Sequence, residues 1–189
     1  ETEPAFSWNE IADYPDCVFM RRSSRNFVKQ LVSKEHMEGL LQAMCASEQG
    51  KYDESLAAGF LSGRVEGMGK GFYLLDRNRK VAGMVAQGAY VEPMARICLD
   101  QDWLANAGVH LLLLADLEVL DRTWGPRGYR YAMMTAGRLG QRLYLAASAM
   151  GLGCCGIGAF YDQEARELLG LSETSRLLYL VAVGEVKRR

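Results

Sequence analysis

RGYRYAMMTAGRLGQRLYLAASAMGLGCCGIGAF, Arg127 to Phe160, is the stretch on which the fold turns. A long helix is expected from about Tyr129 to Met150. It carries small residues on several faces: Ala132, Ala136, Gly137, Gly140, Ala146, Ala147 and Ser148. A helix that is apolar or small nearly all round is expected to be buried on all sides. Gly151 and Gly153 read as its C-terminal stop. Cys155 to Phe160 then reads as a glycine-rich loop. Outward from this stretch, Val109 to Leu117 is a run of Val and Leu of strand length, expected as a buried central strand. LLYLVAV, Leu177 to Val183, is a closing strand, and GFYLL, Gly71 to Leu75, is another, followed by a turn at Asp76 to Arg79. Helices are expected at Tyr90–Leu99 and Gln163–Leu169, the latter stopped by Gly170. Nearer the N-terminus, Ser33 is placed to cap a helix from Lys34 to about Ala46. Trp8 to Met20 suits a short amphipathic helix, and Ser47 to Gly71 reads mostly as loop. This mixture points to an α/β or α+β sandwich.

The 189 residues suit a single domain over 1–189. The absence of an initiating Met fits a piece of a longer chain. A net charge of −1 gives no general attraction to nucleic acid or to acidic membranes, so any anion site must be a local basic cluster. The N-terminal stretch lacks the pattern of a signal peptide, and the longest apolar run is too short to cross a bilayer. Five irregularly spaced cysteines fit reduced thiols and a cytoplasmic protein rather than a disulfide framework. His36 and His110 have no partners at metal-ligand spacing, so no metal site is expected.

Three segments carry candidate chemistry. RRSSRNF, Arg21 to Phe27, packs Arg21, Arg22, Ser23 and Arg25 into five residues. Arginine forks and a serine hydroxyl suit a phosphate, and a solvated basic loop is the alternative. GLGCCGIGAFYD, Gly151 to Asp162, holds Gly156 and Gly158, which are harder to explain as a helix end than Gly151 and Gly153. Glycines there let a flat ligand approach the main chain, whose N–H groups could donate to a ring. The spacing is not a dinucleotide fingerprint. WGPRGYRY, Trp124 to Tyr131, offers Arg127 and Tyr129 for an anion or a flat substrate. Arg130 and Tyr131 fit a solvated cation and a core aromatic. No nucleophile elbow or P-loop is present.

Together these segments resemble the nitroreductase superfamily. RRSSRNF resembles its opening FMN motif. The stretch through GLGCCGIGAF resembles the azoline-oxidase (SagB-type dehydrogenase) branch, where a Gly-Leu-Gly, a Cys-containing link and an Ile-Gly-x-Phe turn recur in this order. RVEGMGKGFYLLDRNRKV, Arg64 to Val81, and LLYLVAVGEV resemble its strand-and-turn unit and closing strand. The resemblance implies an α+β sandwich with a mainly antiparallel sheet, in an intertwined homodimer with FMN at the interface. It implies that Arg21, Arg22, Ser23 and Arg25 hold the FMN phosphate and the pyrimidine edge. Gly156, Ile157 and Gly158 would lie along the ring, with a backbone N–H facing flavin N5. It further implies ping-pong hydride transfer between a reduced nicotinamide and a small-molecule or peptide substrate. Two motifs differ. The family's Pro-Ser-x-Gly loop has LAAG, Leu56 to Gly59, as its nearest match, with Ser55 as a stand-in hydroxyl. Thr123 and Trp124 stand where azoline oxidases carry Lys-Tyr, so azole formation is not expected. The competing expectation is a nitroreductase-fold binding or scaffold domain with weak or no FMN, acting as a partner in an assembly.

Overall fold

The computed structural model describes residues 13–45 and 52–187. Within them six strands and six α-helices alternate as α1 (Tyr14–Met20), α2 (Lys34–Cys45), β1 (Ala57–Ser62), β2 (Gly71–Asp76), β3 (Val81–Gln87), α3 (Val91–Ile97), β4 (Val109–Asp116), α4 (Leu117–Trp124), α5 (Gly128–Ala149), β5 (Gly153–Ile157), α6 (Asp162–Leu169) and β6 (Ser175–Gly184). The strands form one antiparallel sheet in the order β3-β2-β1-β4-β6-β5. The expected α+β sandwich is therefore the observed one.

β4 shows why the sheet needs helices on both faces. Val109, Leu111, Leu113 and Ala115 point into a core shared with α2, α4 and α5. Leu112 and Leu114 point into a second core with α3 and α6. An unbroken apolar run is what a strand buried on both faces requires. In β6 the alternation slips once, at a bulge opposite Leu113 and Leu114. Both Leu178 and Tyr179 consequently face the α5 side.

The helix ends follow local chemistry. Ser33 Oγ accepts the His36 N–H at 3.1 Å, capping α2. Gly170, at φ +61°, ends α6 in the left-handed conformation that glycine adopts without strain. Asp116 Oδ1 accepts the N–H groups of Glu118 and Val119, each at 3.0 Å, and starts α4, a helix the sequence reading did not assign.

The structure departs from the sequence reading at several elements. Within 52–71, the described part of Ser47–Gly71, the expected loop is interrupted by β1. AAGFLS has no β-branched residue, yet it pairs with both β2 and β4, and Ala58, Phe60 and Leu61 are buried. LAAG is therefore the start of a strand and not a loop. Cys155–Ile157 of the expected glycine-rich loop belong to β5 (Gly153–Ile157), paired residue for residue with β6. VAGMVAQ, unassigned from sequence, is the edge strand β3, joined to β2 by the expected turn, where Asp76 Oδ1 accepts the N–H groups of Asn78 and Arg79. Finally, α5 is buried along one side only. Tyr129, Met133, Met134 and Gly137 lie exposed on the other. The expected helix Trp8–Met20 is seen as Tyr14–Met20, its first residues lying outside those described.

Candidate functional site

The arginine segment leaves α1 at Arg21 and runs along the free edge of β5. Ser24 N–H donates to the Cys154 carbonyl at 2.8 Å, with Ser23 bridged in parallel to Cys154. The segment then crosses to the tail after β6, where Val28 N–H donates to Glu185 O at 2.9 Å and Asn26 Nδ2 to Lys187 O at 3.0 Å. Phe27 is the anchor: it is buried and stacks on Trp103 at 6.0 Å. Phe19 and Met20, just before the segment, are exposed and do not anchor it. Gly153 makes this approach possible. A Cβ there would overlap Val186 and press on Ser24 and Phe27. Its role is loop packing, not the helix end, which Gly151 supplies at φ +71°.

The structure thus brings two of the three candidate segments together. Arg25 and Ser23 lie beside the Cys155 thiol, and the Arg25 guanidinium also sits 6.0 Å over the Trp103 ring. None of Arg21, Arg22 and Arg25 meets a carboxylate among the described residues. Arg21 Nε is buried with no hydrogen-bond partner. A buried, unpaired guanidinium nitrogen is costly unless a ligand satisfies it. Arg22 is arranged differently. Its Nη1 donates to the carbonyls of Phe19 and Arg21, both at 2.8 Å, tying off the end of α1.

Two residues that sequence reading missed complete the site. Tyr144 of α5 accepts the Gly156 N–H at 2.7 Å, and its hydroxyl lies 2.9 Å from Ser23 Oγ. Burial pushes this phenol upward, while the hydrogen bonds with Ser23 and Gly156 pull it back. Tyr179 of β6 slides between two glycines. A Cβ on Gly140 would come within 2.7 Å of its ring, and one on Gly156 would overlap its hydroxyl. Burial raises the Tyr179 phenol to about 12, so it stays protonated at neutral pH. Gly156 is therefore a glycine on account of Tyr179, and its N–H is already taken. Cys154 and Gly156 both present main-chain groups to the outer edge of β5. Continued one residue past the end of β5 at Ile157, the two-residue repeat of a strand would turn the Gly158 N–H the same way. That N–H has no partner among the described residues. A Cβ at Gly158 would meet only Tyr179 Cδ2, at 4.0 Å. Ile157 points the other way, into the α3–α6 core.

The remaining candidates lie elsewhere. Arg127 and Tyr129 stand at the opposite end of α5, about 22 Å from Tyr144 at 1.5 Å rise per residue. Tyr131 stacks on Tyr52 at 4.0 Å, with Trp124 edge-on to Tyr52 at 6.3 Å, as suits a structural aromatic. Ser55 does not replace the missing loop serine. It is buried, and its hydroxyl donates to the Tyr52 carbonyl. All five cysteines are unpaired and buried, and burial raises the Cys154 and Cys155 thiols, so neither is a ready nucleophile. No group of His, Cys, Asp and Glu among the described residues could hold a metal ion. No helix there is long and apolar enough to cross a membrane.

Comparison with known proteins gives these features a setting. Residues 72–185 match the nitroreductase family. A provisionally named nitroreductase of Methanocaldococcus jannaschii is 35% identical over 114 residues, 60% of this chain and 58% of that protein. The crystal structure of a provisionally named nitroreductase from Anabaena variabilis superposes with a TM-score of 0.89 at 25% identity. It covers 96% of this chain, which accounts for only 40% of that longer one. A chain of the E. coli microcin synthetase complex McbBCD, with truncated pro-MccB17 bound, superposes over 100% of this chain and 78% of its own, with a TM-score of 0.76 at 19% identity.

Proposed function

This chain belongs to the nitroreductase family, and from that premise we propose that it is an FMN-dependent oxidoreductase acting as a homodimer. The observation that carries this reading is one strip of main chain along β5. Arg21, Ser23 and Arg25 run beside it and meet no carboxylate among the described residues, Arg21 Nε is buried without a hydrogen-bond partner, and the strip leads on to the Gly158 N–H, which has no partner there either. Arg21, Ser23 and Arg25 suit a phosphate, and Gly158 suits the edge of a flat heterocycle. Arg22 contributes by closing α1 and so placing Arg21. Bound FMN supplies hydride exchange at N5, and the protein's part is to bind, orient and tune it. In that arrangement the Gly158 N–H would be the donor available to the ring at N5, while Ile157 holds the strand against the core and Gly156 leaves room for Tyr179. The electrons come from a reduced nicotinamide and pass to a small-molecule or peptide acceptor. The fold shared with a peptide-bound synthetase complex supports keeping a peptide in that class.

The dimer reading rests on α5. Its outer face exposes Met133 and Met134 beside Gly137, where a Cβ would meet nothing, and α1 adds exposed Tyr14, Phe19 and Met20. Two such faces packed antiparallel about a two-fold axis near Gly137 would cover each other. The same packing would carry Arg127 and Tyr129 of one protomer toward its partner's flavin site, which they cannot reach within their own chain. The decisive test is the visible spectrum of the purified chain titrated with FMN, then with NADH or NADPH without oxygen. Flavin binding followed by bleaching supports the enzyme, and a colourless chain that leaves added FMN unperturbed favours the scaffold reading. Light scattering at micromolar concentration tests the dimer, and a monodisperse monomer would refute it.

A further inference from the structure

Tyr144 stands between the two segments assigned to the cofactor, and the direction of its hydrogen bonds can be worked out. Its oxygen accepts the Gly156 N–H at 2.7 Å. The phenol then has one proton left to give, and Ser23 Oγ lies 2.9 Å away. If Ser23 donated instead, the phenol oxygen would take two donors, and its own proton would have only the Cys155 thiol, a weak acceptor. The favoured order runs Gly156 N–H to Tyr144 O–H to Ser23 Oγ, and hydrogen bonds in series strengthen one another. The chain ends on the exposed Ser23 hydroxyl, whose proton has within the protein only the Cys155 thiol, a weak acceptor. Ser23 is exposed, in the same short segment as Arg21 and Arg25. A chain that ends in an exposed, weakly engaged donor beside guanidinium groups that meet no carboxylate among the described residues suits an anion.

Building on the flavin reading above, we propose that Tyr144 is a positioning residue: it turns the Ser23 hydroxyl proton onto the FMN phosphate and couples the phosphate segment to the ring-edge strand β5. Neither segment contains Tyr144. It comes from α5, the helix assigned to the dimer interface, so packing of that helix and occupancy of the phosphate site are linked through one hydroxyl. By holding the Gly156 N–H, Tyr144 also leaves Gly158 as the donor free for the ring.

The test measures FMN and riboflavin dissociation constants for the wild-type chain, Y144F, S23A and the double variant, with apo melting temperatures alongside. Y144F is expected to weaken FMN about tenfold, the size of a lost hydrogen bond to a charged group, with a much smaller change for riboflavin. S23A should do the same, S23T should restore binding, and Y144F should add little in the S23A background. Equal losses of FMN and riboflavin, or additive effects in the double variant, would assign Tyr144 a structural role and overturn the inference. Ser23 is exposed, so S23A keeps the test alive even if Y144F folds poorly: unchanged FMN affinity in S23A overturns the chain. A wild type that binds neither flavin removes the flavin reading itself, and this inference with it.

Discussion

Gly156 and Gly158 lie two residues apart, and the structure predicts opposite consequences for filling them. An alanine at 156 would drive its Cβ into the Tyr179 hydroxyl. The phenol cannot simply swing aside, because its ring already sits against the helix at Gly140, where a Cβ would come within 2.7 Å. Overpacking of this kind costs about 1–3 kcal/mol. Gly156→Ala should therefore lower apo stability by about that much, and Y179F should recover part of it by removing the oxygen. At 158 the nearest atom to a new Cβ is Tyr179 Cδ2, at an ordinary 4.0 Å, and the residue is not in the left-handed region. Gly158→Ala and Gly158→Val should change apo stability by less than about 1 kcal/mol. If the Gly158 N–H faces flavin N5, the same variants should lose FMN about tenfold or more, or slow hydride transfer, because the side chain pushes the ring away from the donor. Apo chemical denaturation and FMN titration on all four proteins give both numbers. A Gly158→Val protein with normal FMN affinity and normal flavin reduction by the nicotinamide would refute the assignment of this edge to the ring. A Gly156→Ala protein as stable as wild type would refute the packing argument.

Arg25→Ala should weaken FMN tenfold or more and riboflavin much less, since about 1.5–3 kcal/mol attends a charge-assisted hydrogen bond; equal weakening of both would remove the phosphate role. His110 is fully buried in β4, with Nε2 3.0 Å from the Leu104 carbonyl and no partner for Nδ1, and burial depresses its imidazole from 6.5 to about 4. Its folded pKa lies below its unfolded value, so the stability it permits is fully present above pH 6.5 and is lost as pH falls toward 4. The shift is worth about 3 kcal/mol at roughly 1.4 kcal/mol per unit. The difference in unfolding free energy between wild type and H110Q should therefore vary by about that amount across this window, and a pH-independent difference would refute it. FMN-loaded protein incubated with a thiazoline peptide should yield no thiazole by mass spectrometry, because Thr123 and Trp124 supply no titratable base; rapid conversion would show that another group provides one.

Local sequence determined the elements whose pattern records their own burial. VHLLLLAD could be assigned to the sheet centre because its run Leu111–Ala115 is apolar at successive positions, as suits a strand covered on both faces. The length of α5, the Ser33 cap and the Gly170 stop follow from side chains within a few residues of the boundary. The dense arginines of 21–25 marked a candidate anion site for the same reason. Tertiary structure decided what depends on partners distant in the chain. AAGFLS and GCCGI are strands only because β2, β4 and β6 offer them edges, a preference that neighbours set more than composition does. Gly156 looked like a place for a ligand, but its missing side chain is claimed by Tyr179, 23 positions later. Tyr144, Ser23 and Gly156 come from a helix, a loop and a strand, and no spacing rule joins them. Periodicity reports how many faces of a segment are buried; which atoms meet there is settled only when the sheet closes.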